Sequence, residues 1–328
     1  DMWSRESNKL NNDKDCKKLF LKGDKPFLAG DLHLQPELAK TMREIANYGR
    51  DGFYRGWVAE DIVQKLQSIG GNHTINDFSN LNVEYVEPIS SVYRGYDVFE
   101  CPPNGQGIVA LMILNILQEF DLSSMEANSV ERVHLEAEAS KIAFYHRNKY
   151  LGDPRFTEVP LEQMLSKEYS KKLSRMIDLK KTIKKLDIYP LQNNKDTVYI
   201  SVVDKDRNCV SFINSIFHPF GSGIVAPKSG VLLHNRGASF NLEKNHPNFF
   251  EPNKRPMHTI IPGLLLKDGK PLMPFGVMGA HYQPVGQCHF LTNVIDYAMD
   301  VQLALDHQRS FFYDGVLSLE KTFGANII

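Results

Sequence analysis

Apolar positions recur at helical spacing in two early stretches. Leu38, Met42, Ile45 and Ala46 follow Pro36 and stop at Gly49, which predicts a helix opened by proline and closed by glycine. Trp57 to Ile69 repeats the pattern and ends at Gly70-Gly71. Val83 to Glu100 reads as extended chain, turned at Tyr93-Arg94-Gly95-Tyr96. Pro102 to Gly107 is a stiff-then-flexible loop that feeds an apolar helix from about Ile108 to Phe120. Asn128 with Glu131 predicts the cap of a helix reaching about Asn148.

Later the period changes. Lys167 to Lys185 is lysine-rich with a helical pattern and reads as a solvated face. Leu191 to Asp196 is polar and irregular, an exposed loop. Val198, Tyr199, Ile200, Val202 and Val203 are strand formers, Asp204 to Asn208 is turn chemistry, and Cys209 to Phe217 alternates again. These make a β-hairpin running into Gly221-Ser222-Gly223. Val231 to Leu233 reads as a short strand. Leu264–Leu266 and Leu272–Phe275 flank Asp268-Gly269 as a second hairpin. Gly276 to Ala280 is a flexible turn before helices over Pro284–Met299 and Val301–Leu305. The fold class is α+β: residues 1–196 mostly helical, residues 197–328 mostly β with late helices, in one intertwined domain.

Composition narrows the chemistry by exclusion. The 328 residues carry 38 basic and 39 acidic side chains, so no strong field steers the chain to nucleic acid or a charged membrane. Cys16, Cys101, Cys209 and Cys288 are widely spaced and read as free thiols. No apolar run reaches the ~20 residues of a membrane helix. There is no Gly-x-Ser-x-Gly elbow, P-loop or dinucleotide fingerprint, and no His-x-x-x-His pair, so neither metal nor cofactor is indicated. His281 and His289 read as lying on or near a helix surface. Asn72-His73-Thr74 has the form of a glycosylation sequon. Both ends read as cut, so any N-terminal targeting signal would lie outside the chain. The compartment stays unassigned, with a lean to the cytoplasm.

One catalytic route survives. Thr197 opens a strand after a polar loop. Backbone cleavage before it would free an α-amine to serve as base for its hydroxyl nucleophile. Such chemistry needs oxyanion donors, and the backbone N–H groups of Gly279-Ala280 are the candidates.

At these residues the chain resembles a known family. Thr197 to Asp206, Phe220 to Val225, Lys254-Arg255-Pro256 and Leu265 to Pro271 resemble the γ-glutamyltransferase family. His234 to Ala238, Arg255 to Gly263 and Phe275 to Gly279 resemble its glutathione-hydrolase-like branch, which includes relatives of cephalosporin acylases. Gly49 to Gly56, Tyr93 to Tyr96 and Pro102 to Gly107 extend the likeness into the first half. The resemblance implies a four-layer αββα N-terminal-nucleophile hydrolase, made as a precursor that cleaves itself at Asp196–Thr197 into a large and a small subunit. It implies a small-molecule partner, a γ-glutamyl or other acyl amide, and an ester on Thr197. It places the family's opening region upstream of Asp1 and its last strands beyond Ile328, so this piece alone is expected to have an incomplete pocket.

Position by position, the resemblance makes Thr197 the nucleophile, Ser215 the hydroxyl that holds its amine, and Gly279-Ala280 the oxyanion pair. Alanine replaces a glycine there and resists a positive φ if one is needed. The substrate-binding positions fall at Asn235, Arg236, Ser239, His258 and Thr259. Several depart from the transferase pattern. Phe217 stands where transferases use an Asn, Ser239 replaces the acid that binds the substrate amine, and His258-Thr259 replace paired serines. Arg236 replaces a neutral amide and would suit an acidic acyl group. Losing the acid would remove roughly 1.5–3 kcal/mol of charge-assisted hydrogen bonding to an ammonium.

Overall fold

The computed structural model describes residues 2–184, 186, 196–324 and 327. Residues 191–195 of the polar loop lie outside that set. The chain divides into two compact units. One comprises Asp1–Tyr85 with Ile216–Arg236, the other Val86–Ser215 with Gly237–Ile328. These units follow packing and leave the expected division at Asp196–Thr197 untouched, since that division is a chain cut.

In the first unit, the helices Pro36–Tyr48 and Trp57–Ser68 form where their apolar spacing places them. Val58 and Ile62 bury against Ala226. Leu10, Cys16, Phe20 and Leu21 make a second small core with Val225. Lys65 is buried between Asp13 and Asp15 at 2.5 and 2.6 Å. Val231 to Leu233 is not a strand: Val225 and Leu232 make only an isolated bridge. Gly230 N–H returns to Ala226 C=O within five residues, so the turn is too tight for a ladder.

The second unit holds the larger core. Strands β1 (Ile89–Tyr93) and β2 (Tyr96–Glu100) form a hairpin at the expected turn. Helix α1 (Gly107–Leu117) is apolar on every side and buried throughout, as its sequence demands. Helix α2 (Val130–Tyr150) is capped by Ser129, whose hydroxyl accepts from Arg132 N–H, one residue later than the expected Asn128. Among its described residues the lysine-rich stretch is helical only over Lys167–Ser174; beyond it Ile177 and Ile183 pack on the core without a helix, and Leu179 is exposed.

Strands β3 (Asp196–Val203) and β4 (Cys209–Phe217) form the expected hairpin as a two-stranded sheet. Strands β5 (Gly263–Lys267) and β6 (Lys270–Phe275) join β1 and β2 in one antiparallel sheet of order β1-β2-β5-β6. Helix α3 (Gln283–Ile295) is shorter than its apolar pattern suggested and packs on α1. The sequence did not suggest the final hairpin, Ser310–Tyr313 with Val316–Leu319. Among the described residues no helix is long and apolar enough to cross a membrane. All four cysteines are free. Burial pushes the Cys16 thiol up to about 12, with Asp13 adding to the effect.

A buried polar chain threads this core. Arg132 Nε donates to Glu136 at 2.9 Å, and its guanidinium lies 4.4 Å from the Tyr297 ring centroid. His289 Nδ1 is 3.1 Å from Glu136, and His289 Nε2 is 3.3 Å from His307 Nδ1. His289 is therefore buried and partnered, not a surface residue. It sits on a helix whose polar residues Gln283, Gln287, Thr292 and Asn293 are buried as well, which the spacing alone could not reveal.

Candidate active site

Thr197 is the second residue of β3 and Ser215 is third from the end of β4, so hairpin pairing sets them opposite. Thr197 is buried, and its Oγ1 donates to Ser215 Oγ at 3.3 Å. That length is at the long end for O–H···O. The contact orients the hydroxyl toward Ser215.

Two residues on, Tyr199 ties the hairpin to the turn after β6. Its hydroxyl is 3.0 Å from Ser211 Oγ, which donates to Phe275 C=O at 3.2 Å. The Tyr199 ring fills the space beside Gly276, where a Cβ would meet it at 2.5 Å. Glycine is required there by close approach.

The turn itself has unusual backbone. Gly279 has φ +127° and Ala280 φ +49°. Ala280 thus adopts the positive φ that alanine was expected to resist, at about 1 kcal/mol of strain. A cavity of about 320 Å³ abuts this turn, lined by Tyr199, Gly276, Met278, Tyr282, His289 and Arg309 among others.

The segment after Arg255 is braced from two sides. Asp153 is fully buried and accepts from Arg255 N–H at 2.8 Å, from Arg255 Nη2 at 3.1 Å and from Arg155 Nη2 at 2.6 Å. Burial opposes ionisation of this carboxyl, but the two guanidiniums outweigh it and hold it well below the usual carboxylate range. Asn104 Nδ2 donates to Pro256 C=O at 2.6 Å, and His258 N–H donates to Asn104 C=O at 2.9 Å. His258 Nδ1 accepts from Ile260 N–H at 3.2 Å, so the ring caps its own turn. Thr259 is buried. Ser239 is buried and spends its hydroxyl on Met257 C=O at 2.9 Å.

Gln106 is the hub of this region. It is fully buried, and its Nε2 donates to Thr259 C=O at 3.0 Å and Ala280 C=O at 2.9 Å. Its Oε1 accepts from Arg147 Nη1 at 3.1 Å. Arg147 is buried too, and the same Nη1 lies 3.0 Å from His281 Nδ1. His281 stacks on Tyr313 with centroids 5.3 Å apart, which corrects its expected place at a helix surface. Gln106, Arg147 and Asp153 were not singled out from sequence. Gln106 lay inside a motif quoted for resemblance, and that was the signal available.

In the first unit, Phe217, Asn235 and Arg236 form their own group. Arg236 is buried with its guanidinium 4.4 Å from the Phe217 ring centroid. Burial lowers its pKa to about 10, which leaves it charged at neutral pH. Phe217 has φ +81° and stacks on His218 at 4.5 Å. Asn235 grips His218 twice: its Oδ1 accepts from the backbone N–H at 3.1 Å, and its Nδ2 faces Nδ1 at 2.7 Å.

Within an α+β framework, the site sets a threonine near the start of a strand against a serine hydroxyl. Comparison with known proteins carries this further. The family model described as Gamma-glutamyltranspeptidase matches residues 1–328. The glutathione hydrolase-like YwrD proenzyme of Bacillus subtilis is 40% identical over 294 residues, covering 89% of this chain and 55% of the relative. The glutathione hydrolase proenzyme of Escherichia coli is 36% identical over 325 residues, covering 94% of this chain and 56% of the relative. The crystal structure of cephalosporin acylase from Bacillus halodurans superposes with a TM-score of 0.89 at 36% identity, over 99% of this chain and 60% of that one. The chain belongs to the gamma-glutamyltranspeptidase family. It spans about half the length of the curated relatives it matches.

Proposed function

We propose that this chain is part of a self-cleaving amidase in which Thr197 becomes the N-terminal nucleophile. Cleavage of Asp196–Thr197 frees the Thr197 α-amine and leaves the residues before and after it as large and small subunits. Thr197 Oγ1 then attacks the carbonyl carbon of an acyl amide, and its proton passes through the α-amine to the leaving nitrogen. The oxyanion is held by the N–H groups of Gly279 and Ala280. The acyl group rests on Thr197 as an ester until water, or an acceptor amine, releases it. The observation that carries this reading is the 3.3 Å contact from Thr197 Oγ1 to Ser215 Oγ at the start of the hairpin.

Relatives named glutathione hydrolase support a γ-glutamyl amide such as glutathione as substrate. Ser239 favours a second reading, an acylase-like amidase with a different acyl group. Its hydroxyl is engaged with Met257 C=O and supplies no carboxylate for a substrate ammonium. Arg236, a buried guanidinium still charged at neutral pH, suits an acyl group that carries a carboxylate. A catalytically silent relative is the remaining alternative.

Incubating the full-length protein with glutathione, a γ-glutamyl anilide and a glutaryl amide separates these readings. Faster release from the first two supports γ-glutamyl transfer, and faster release from the glutaryl amide supports the second reading. Release from none favours the silent relative.

A further inference from the structure

We infer that Gln106 is a positioning residue that locks the Gly279–Ala280 turn and the His258–Thr259 segment into one register. The inference rests on the reading of Gly279–Ala280 as oxyanion donors. The two segments are 20 residues apart in sequence, and the same side-chain amide bonds a carbonyl of each: Thr259 at 3.0 Å and Ala280 at 2.9 Å. The Gln106 backbone adds a third link, donating to His258 C=O at 3.0 Å.

The amide has only one workable orientation. Its NH₂ faces two carbonyl oxygens and its oxygen faces a guanidinium nitrogen of Arg147 at 3.1 Å. Turned over, it would set oxygen against oxygen twice and donor against donor once. Arg147 therefore fixes Gln106, and Gln106 fixes the Ala280 carbonyl. The same guanidinium nitrogen reaches His281 Nδ1 at 3.0 Å, so residues 280 and 281 are braced together.

The brace matters because Ala280 sits at φ +49°. A left-handed alanine relaxes unless its surroundings hold it. Relaxation would swing the peptide planes on either side, and with them the N–H that must face the oxyanion. Gln106 is fully buried, so bulk solvent does not reach these bonds. Preorganised donors of this kind do their work only when fixed before the reaction.

The test uses the full-length precursor with Gln106→Met, which keeps volume and removes the amide, and Gln106→Asn, which keeps the amide but shortens its reach. Five quantities are read: splitting at Asp196–Thr197, melting temperature, active sites titrated by an acylation burst, kcat per titrated site, and KM. The expected result is normal splitting, with kcat per site lowered roughly ten- to a hundredfold in Gln106→Met and less in Gln106→Asn. KM rises with it, because Thr259 is released too. A residue that merely supports the fold would lower the number of sites and leave kcat per site alone, and that outcome overturns the inference. A folded variant that fails to split also counts against it. A wild type that neither splits nor turns over defeats the underlying reading, which is distinguishable because it appears without any substitution.

Discussion

Thr197 Oγ1 donates to Ser215 Oγ across 3.3 Å, from the start of one hairpin strand to the end of its partner. The contact places a hydroxyl partner beside the proposed nucleophile with no histidine or carboxylate needed.

Ser215→Ala removes that partner and leaves the hairpin pairing intact. The net value of one such bond is about 0.5–1.5 kcal/mol, so turnover should fall roughly three- to tenfold. Ser215→Thr keeps the hydroxyl and should stay near wild type. Equal rates for Ser215→Ala and wild type would remove Ser215 from the account.

Ala280→Gly should be tolerated, since glycine adopts φ +49° without strain. Its melting temperature should match or exceed wild type, with activity retained. Ala280→Val places a β-branched residue in the left-handed region and should lose more than about 1 kcal/mol of stability. Thermal melts of the two variants check both signs, and a Val variant as stable as the Gly one would contradict the backbone argument.

Asp153→Asn leaves Arg155 and Arg255 without their shared carboxylate. Both guanidiniums are partly exposed, which moderates the effect to roughly 2–3 kcal/mol. Denaturant unfolding should show that loss, together with a raised KM as the segment leading to His258 and Thr259 loosens. An unchanged unfolding midpoint would show that the pairs contribute little.

His307 supplies a pH dependence. Burial, with help from His289 and Arg132, pushes its pKa down from 6.5 to about 4. Between those values the unfolded chain binds the proton and the folded chain does not. Its stabilising contribution is therefore full above about 6.5 and lost as pH falls toward 4. Glu136 acts in the same direction: burial opposes its charge, but Arg132 and His289 outweigh burial and hold its pKa low. Melting temperature should climb from pH 4 to 6.5 and then level, with a shallower climb in His307→Gln. An identical slope in that variant would contradict the assignment.

The helices at Pro36 and Trp57 and the hairpins at Tyr93, Thr197 and Asp268 were legible in the sequence, because period, caps and turn residues are local signals. The lysine-rich stretch was over-read: Ile177 and Ile183 pack on the core beyond Ser174 without a helix, so helical spacing alone did not fix the backbone there. Thr197 was legible from its place at the head of a strand after a polar loop, Ser215 came from resemblance, and the structure brings the two together. Gln106 was invisible as a role. A buried glutamine is recognised only when its acceptors are known, and those lie at Thr259 and Ala280, more than 150 residues away. His281 and His289 were misplaced for the same reason, their partners Arg147 and Glu136 being on a distant helix.

The central claim is that Thr197 becomes a chain end and a nucleophile. Incubating the full-length precursor and sequencing the N-termini of its products tests this most directly. The account predicts two chains, the second beginning at Thr197, and a single unsplit chain without turnover in Thr197→Ala. Splitting that persists in Thr197→Ala, or a new terminus at any other residue, would contradict it.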